Sequence, residues 1–141
     1  MVHALIVTRG LLRPDGILVD LRTDRFAAIR TRHDQVFCLT RDRRRYAGSL
    51  EIRRSLADFR SADRAIREVV RRGLFRLDAV EVFEHLAYLD SPAHLERAVA
   101  RHRYARLPNP TRRRLRALWR RHPGAQILVV ARERMNVLVK T

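Results

Sequence analysis

The chain has 141 residues and carries 31 basic against 15 acidic residues, a formal net charge of +16. Hydrophobic residues make up 46% of it, so the composition excludes an intrinsically disordered chain and favours one folded domain over residues 1–141. No apolar stretch approaches the roughly 20 residues of a membrane-spanning helix, and no leader-like segment is visible. We therefore expect a cytoplasmic protein without membrane contact.

The basic residues are almost all arginine, since a single lysine, Lys140, stands against 30 arginines. A composition biased towards arginine would produce this pattern, and so would an anionic partner. Arginine in every segment favours bias, but bias does not explain the excess over acidic residues. The one cysteine, Cys38, excludes a disulfide within the chain. Its apolar surroundings, residues 36–39, predict a buried and unreactive thiol.

The first elements are predicted as a short helix followed by a strand. Hydrophobic residues recur at helical spacing from Val2 to Leu12, and the turn over residues 13–16 ends the helix. Residues 17–22 form an apolar run with one acid, which is typical of a strand covered on both faces. Two β-prone runs, 26–32 and 35–40, then predict a small hairpin followed by an irregular basic stretch, 41–45.

The middle of the chain changes to a helical period from Ser49 or Ser55 onward, and Gly73 is expected to end that helix. Residues 74–89 are rich in β-branched and aromatic residues and predict a long strand. Ser91 is expected to cap a helix over residues 92–106.

The C-terminal part predicts a third helix capped by Thr111, with Leu115, Leu118 and Trp119 on one face. Apolar residues of odd number then alternate from Ile127 to Val139. This length predicts either one long twisted strand or two strands bent at residues 132–134. No repeat or change in composition marks a second domain.

The segment from His3 to Asp20 resembles class I S-adenosylmethionine-dependent methyltransferases. In that family a leucine-rich helix ends in a turn like Leu12-Arg13-Pro14-Asp15-Gly16 before a buried strand, although a glycine is usual where Asp15 stands. The later order of elements is similar to the C-terminal half of the family's fold, whose last two strands pair antiparallel at the sheet edge. The resemblance implies one α/β domain with a mixed sheet and flanking helices.

The cofactor-binding half of that family has no counterpart in this sequence. All five glycines stand singly, so no glycine-rich loop for a cofactor is present. The resemblance therefore implies a non-catalytic, methyltransferase-like assembly or accessory partner with no cofactor and no catalytic residue. An active enzyme would require a partner chain. Since the edge of strand 17–22 needs covering, we expect a homodimer, with a partner polypeptide or an N-terminal rearrangement as alternatives.

Among the carboxylates, Asp20 has the most suggestive position. It ends a buried strand, where ligands of open α/β sheets collect, so it is a candidate for a ligand pocket. Pairing with Arg22, Arg25 or a neighbouring backbone amide is the alternative. The spacing of the histidines predicts no metal site.

Two arginine clusters are candidates for binding nucleic acid or another anion, because guanidinium groups bind phosphate in a bidentate fork. Within the second cluster, Arg113, Arg116 and Arg120 share one helix face. A solvated basic surface is the alternative, since acidic residues stand among the arginines of the helix before Gly73 and no aromatic residues interleave with the basic runs. The candidates are Arg41, Arg43, Arg44 and Arg45 in the first cluster, and Arg112, Arg113, Arg114, Arg116, Arg120 and Arg121 in the second.

Overall fold

The computed structural model describes residues 1–24, 33–52 and 56–141. It contains four helices and six strands, so the predicted α/β class is confirmed. No helix in this part of the chain combines the length and the apolar character needed to cross a membrane. The order is α1 (Val2–Leu11), β1 (Ile17–Thr23), β2 (His33–Leu39), β3 (Arg44–Ile52), α2 (Leu56–Arg71), β4 (Phe75–Leu89), α3 (Pro92–Arg101), β5 (Ala105–Arg106), α4 (Asn109–Arg121) and β6 (Gln126–Lys140).

The six strands form an antiparallel sheet in the order β1-β6-β2-β3-β5, and β4 also pairs with β6. The prediction of a mixed sheet is wrong. A short turn joins β2 to β3, and such a turn permits only antiparallel pairing, whereas parallel neighbours need a crossover of about a dozen residues or more. The last strand, β6, lies antiparallel to both β1 and β2.

The chain divides into two compact units. The first unit comprises Met1–Arg25, Ser55–Phe83 and Glu133–Thr141, and the second comprises Phe26–Arg54 and Glu84–Arg132. Strands β4 and β6 each contribute residues to both units.

In the first unit, α1 and α2 cover one face of β1 and β6. Gly73, with a φ of 65°, ends α2 as predicted, and its N–H donates to the Val70 carbonyl. The predicted start of this helix at Ser49 is wrong, because Ser49 lies in β3, and Ser55 falls outside the described residues. The buried core is Ile66, Val69, Phe75 and Leu138, against which Val2, Leu5, Leu12 and Leu18 pack.

In the second unit, α4 packs against β2 and β3, and α3 packs against α4. Cys38 is fully buried there, as the sequence predicts. The core consists of Val36, Cys38, Ala47, Leu50, Leu95, Leu107, Leu115, Ala125, Ile127 and Val129.

The hairpin lies one element later than predicted. Strand β2 pairs with β3 across a turn in which the Thr40 N–H donates to the Arg43 carbonyl, while 26–32 falls outside the described residues. The basic stretch 41–45 is therefore the hairpin's turn and the first two residues of β3. Strand β3 continues from this stretch to Ile52, so it includes residues from Ser49 onward that the sequence pattern assigned to a helix.

Two helix boundaries also differ from prediction. Helix α3 ends at Arg101, because Ala105 and Arg106 pair with β3 as strand β5. Thr111 lies inside α4, which begins at Asn109, and its side chain is bonded to Ser49 instead of capping the helix. The alternating C-terminal segment is one strand, β6, over 15 residues.

Candidate functional site

The first arginine cluster occupies the turn between β2 and β3. Arg41 and Arg43 are exposed in the turn, and neither makes an ion pair with any described residue. Arg44 begins β3, and its guanidinium lies 3.8 Å from the carboxylate of Glu84. The side chains of Arg41 and Arg43 can therefore bind an external anion.

Arg45 differs from the other three because its side chain lies on the buried side of the hairpin. It is the cross-strand partner of Cys38, and its Nε atom is buried without a hydrogen-bond partner among the described residues. Burial raises the pKa of the Cys38 thiol, and the nearby charge of Arg45 lowers it in part. Arg45 therefore contributes charge to this end of the unit but presents less of its guanidinium to an external ligand.

The second cluster lies on α4, whose orientation is set by its apolar face. Thr111 and Leu115 are buried, and Leu118 and Trp119 pack against the same core. Because a helix turns 100° per residue, this anchoring directs the remaining positions towards α3 or towards solvent.

Two arginines of α4 face α3 and are paired there. The Arg116 guanidinium donates to both carboxylate oxygens of Glu96, at 3.1 and 2.9 Å. Arg112 lies 3.5 Å from the same carboxylate and donates to the Asn109 side chain at 2.9 Å. Arg116, the middle member of the predicted face, is thus held by a carboxylate of the protein.

Four arginines of α4 are exposed and make no ion pair within the described part of the chain: Arg113, Arg114, Arg120 and Arg121. Arg113 and Arg120 lie opposite the apolar face, seven residues apart, which corresponds to about 10 Å along the helix. Arg114 and Arg121 follow the flank away from α3. These four guanidiniums are fully available to solvent anions.

The fold brings the end of α4 to the same end of the second unit as the hairpin turn. Residues 122–125 connect α4 to Gln126, the first residue of β6, and Gln126 pairs with Leu39, the last residue of β2 before the turn. Arg120 and Arg121 therefore lie at the end of the sheet that carries Arg41 and Arg43. Residues about 80 positions apart in the sequence become parts of one basic surface.

The two units differ strongly in charge. Among the described residues, the second unit has 15 basic against 6 acidic residues, a net charge of +9. The first unit has 11 basic against 9 acidic residues, a net charge of +2. Arginine occurs throughout the chain, but the excess of positive charge belongs mainly to the second unit.

An aromatic pair, missed by the sequence reasoning, lies on the hairpin. Phe37 and Tyr46 are cross-strand neighbours with ring centroids 5.5 Å apart, in an edge-to-face arrangement. Tyr46 is exposed and shares a strand face with Arg44, because they are two residues apart on β3. In the sequence, Arg44 and Tyr46 stand two residues apart. This spacing places them on one face only if residues 44–52 form a strand.

Asp20, the candidate for a ligand pocket, belongs to the first unit, whereas both arginine clusters belong to the second. Its carboxylate accepts a 2.6 Å hydrogen bond from the Asn136 amide and pairs with Arg22 at 3.0 Å. Arg22 in turn lies 2.7 Å from Asp63 of α2. The carboxylate is therefore committed to a network that ties β1 to β6 and α2.

Comparison of the chain with protein-family models, with curated proteins and with solved structures gives no match.

Proposed function

We propose that this protein binds nucleic acid through the basic surface of its second unit. This surface comprises Arg41 and Arg43 of the hairpin turn and Arg113, Arg114, Arg120 and Arg121 of α4. The observation that carries the proposal is the sorting of arginines by ion pairing: these six are exposed and unpaired within the described chain, while Arg44, Arg112 and Arg116 have carboxylate partners.

Phosphate is the ligand group that such a surface favours. Guanidinium groups bind phosphate oxygens in a planar fork, and each contact releases counterions condensed on the nucleic acid. The exposed ring of Tyr46, beside Arg44, offers a face on which an unpaired base can stack. Backbone contacts of this kind carry little sequence information, so the proposed binding is nonspecific in sequence.

The test is fluorescence anisotropy with a labelled DNA duplex and a labelled single-stranded RNA over a range of salt concentrations. The double variant Arg113→Gln/Arg120→Gln removes two phosphate contacts, so the slope of log affinity against log salt for the duplex should fall by about two. The matched control is Arg13→Gln/Arg60→Gln, which removes the same charge from exposed positions of the first unit.

The control should leave the slope for the duplex unchanged. If both double variants weaken binding equally, net charge alone attracts the nucleic acid and the basic surface has no special role. Absence of binding at low salt, or binding that does not weaken as salt rises, contradicts phosphate contact altogether.

A second candidate function, assembly, is favoured by the first unit. One face of its sheet carries three exposed residues of β1, namely Ile17, Val19 and Leu21, which are 60%, 52% and 58% exposed. Their cross-strand partners on β6 are Val139, Val137 and Met135, so six apolar side chains lie together on the face opposite α1 and α2. We refer to these six residues as the bare face.

We infer that the bare face pairs with a second copy of the chain, so that the protein acts as a non-catalytic assembly partner. Contiguous exposed apolar surface marks interaction sites. In a chain with a net charge of +16, two copies repel each other over most of their surface, but none of these six residues is charged. Electrostatic repulsion therefore opposes association least at this face.

The resemblance to the C-terminal half of class I methyltransferases remains part of this proposal. The proposal rests on the segment from His3 to Asp20: β6 is antiparallel to β1, but it lies inside the sheet between β1 and β2, where the resemblance predicts a pair at the sheet edge. The sequence pattern of β1 is typical of a strand covered on both faces. A sheet that lacks one of its two helical layers would leave one of these faces uncovered.

Size-exclusion chromatography with light scattering tests the association. The wild-type chain should be dimeric, and Val19→Glu should weaken dimerisation by at least about a hundredfold, because it buries a charge in an apolar interface. Val7→Glu is the matched control: Val7 is 50% exposed on α1, outside the bare face, and its variant should remain dimeric. A monomeric wild-type chain, or equal dissociation of both variants, would exclude the bare face as the interface.

A further inference from the structure

A cleft in the first unit, between the start of α1 and one side of α2, is not used by either proposed function. Its volume is ≈ 490 Å³, within the range of small-ligand sites. The residues lining it are Met1, Val2, Ser61, Arg64, Ala65, Arg67, Glu68 and Arg71.

The cleft is cationic because of the helical spacing of three arginines. Arg64, Arg67 and Arg71 follow one another at steps of three and four residues and so share one side of α2. Arg64 and Arg67 are exposed and make no ion pair with any residue that the structure describes. With one carboxylate, that of Glu68, the lining has a net charge of +2.

Glu68 holds the third guanidinium in place. Its carboxylate accepts two hydrogen bonds from Arg71, at 2.8 and 3.0 Å, and one from Arg72 at 2.6 Å. These bonds hold the pKa of Glu68 at about 2, so it stays ionised at neutral pH. Arg71 and Glu68 thus form a bidentate ion pair at the cleft, and the charge of Glu68 is shared between Arg71 and Arg72.

Part of the lining is apolar, with Val2 on α1 and Ala65 on α2. Val2 packs against the buried core of the first unit, and Ala65 is itself buried. The Ser61 hydroxyl is exposed at the edge and can donate or accept a hydrogen bond. A ligand that fits has a doubly charged anionic group and an uncharged part of moderate size.

We propose that this cleft binds a small organic phosphate, with the phosphate monoester between Arg64, Arg67 and Arg71 and the organic part against Val2 and Ala65. A phosphate monoester has up to two negative charges and three terminal oxygens, which suits the unpaired guanidiniums of Arg64 and Arg67, the neighbouring guanidinium of Arg71 and a net lining charge of +2. The site is independent of the basic surface, which belongs to the second unit.

Isothermal titration calorimetry at low salt with AMP, adenosine and inorganic phosphate tests the proposal. AMP should bind, adenosine should not, and inorganic phosphate should bind more weakly than AMP because it lacks the organic part. Arg64→Gln and Arg67→Gln should each weaken AMP binding by at least about tenfold, the effect of one charge-assisted hydrogen bond. Both side chains are exposed, and unchanged thermal unfolding of the variants verifies that they fold.

Arg60→Gln is the matched control, since Arg60 is exposed on α2 one turn before Arg64 but does not line the cleft. It should change AMP affinity by less than about twofold. Equal weakening by Arg60→Gln and Arg64→Gln would mean diffuse attraction to the helix surface and would overturn the site. A dissociation constant for AMP above about 1 mM, or equal affinity for adenosine and AMP, would also overturn the site.

Discussion

Gly48 allows α4 to lie directly on β3. Its φ is 144°, a conformation that residues with a side chain rarely adopt, and a Cβ added there would lie 2.8 Å from the Cβ of Thr111. The Thr111 hydroxyl donates to the Ser49 carbonyl at 3.1 Å and accepts from the Ser49 N–H at 3.3 Å. One glycine and one threonine thus fix the start of the helix that carries four free arginines.

Gly48→Ala should destabilise the protein by about 2 kcal/mol or more, because the new methyl group collides with Thr111 and the backbone is strained. Urea unfolding followed by circular dichroism measures the change. Gly10→Ala is the control: Gly10 lies in α1 with nothing within 4 Å of an added Cβ, so alanine should stabilise that helix by about 0.5–1 kcal/mol. Equal stability of Gly48→Ala and wild type would contradict the close approach of α4 to β3.

At the scale of elements, ion pairs decide which charged residues of α2 remain available to an external anion. In the sequence, its acidic residues favour a solvated basic surface over anion binding. In the structure, Asp63 pairs with Arg22 of β1, and Glu68 pairs with Arg71 and Arg72. The acidic groups thus order this side of the first unit, while Arg64 and Arg67 stay free.

The pairing of Glu68 predicts how stability depends on pH. Its pKa is lowered to about 2 from 4.5, so its contribution is complete above pH 4.5 and is lost as pH falls from 4.5 towards 2. The decrease in melting temperature over this range should be smaller in Glu68→Gln than in wild type. Scanning calorimetry at several pH values measures it.

Glu81→Gln is the control for this experiment, since Glu81 is exposed on β4 and has no ion pair with a described residue. It should keep the pH dependence of the wild type. An identical response of Glu68→Gln and wild type would show that the pairs with Arg71 and Arg72 do not persist in solution.

Strand β6 shows what periodicity leaves open. Its apolar residues of odd number share one face of the strand, but the alternation does not say whether that face is covered. In the first unit the buried side chains are Asn136 and Leu138, while Met135, Val137 and Val139 are only partly buried. Periodicity identifies which residues share a face, but the placement of helices decides which face is covered.

At the scale of the whole molecule, the net charge of +16 is divided unequally. Among the described positions the first unit has 11 basic and 9 acidic residues and the second has 15 and 6, so their net charges are +2 and +9. Neither value follows from a segment of the sequence, because each unit is assembled from separate stretches of chain. The fold explains why Arg120 and Arg121 of α4 lie at the same end of the second unit as Arg41 and Arg43 of the hairpin turn.

The sequence by itself determined much of this protein: the α/β class, the positions of α1, β1, β4 and β6, the end of α2 at Gly73, the burial of Cys38, and two arginine clusters. Each follows from local chemistry, because helical spacing, β-branched runs and glycine conformation act over a few residues. The tertiary structure alone decided the antiparallel pairing, which arginines meet a carboxylate, the bare face of β1, and the cleft beside α2. These depend on contacts between distant residues, and no pattern along the chain records which distant residue will be the partner.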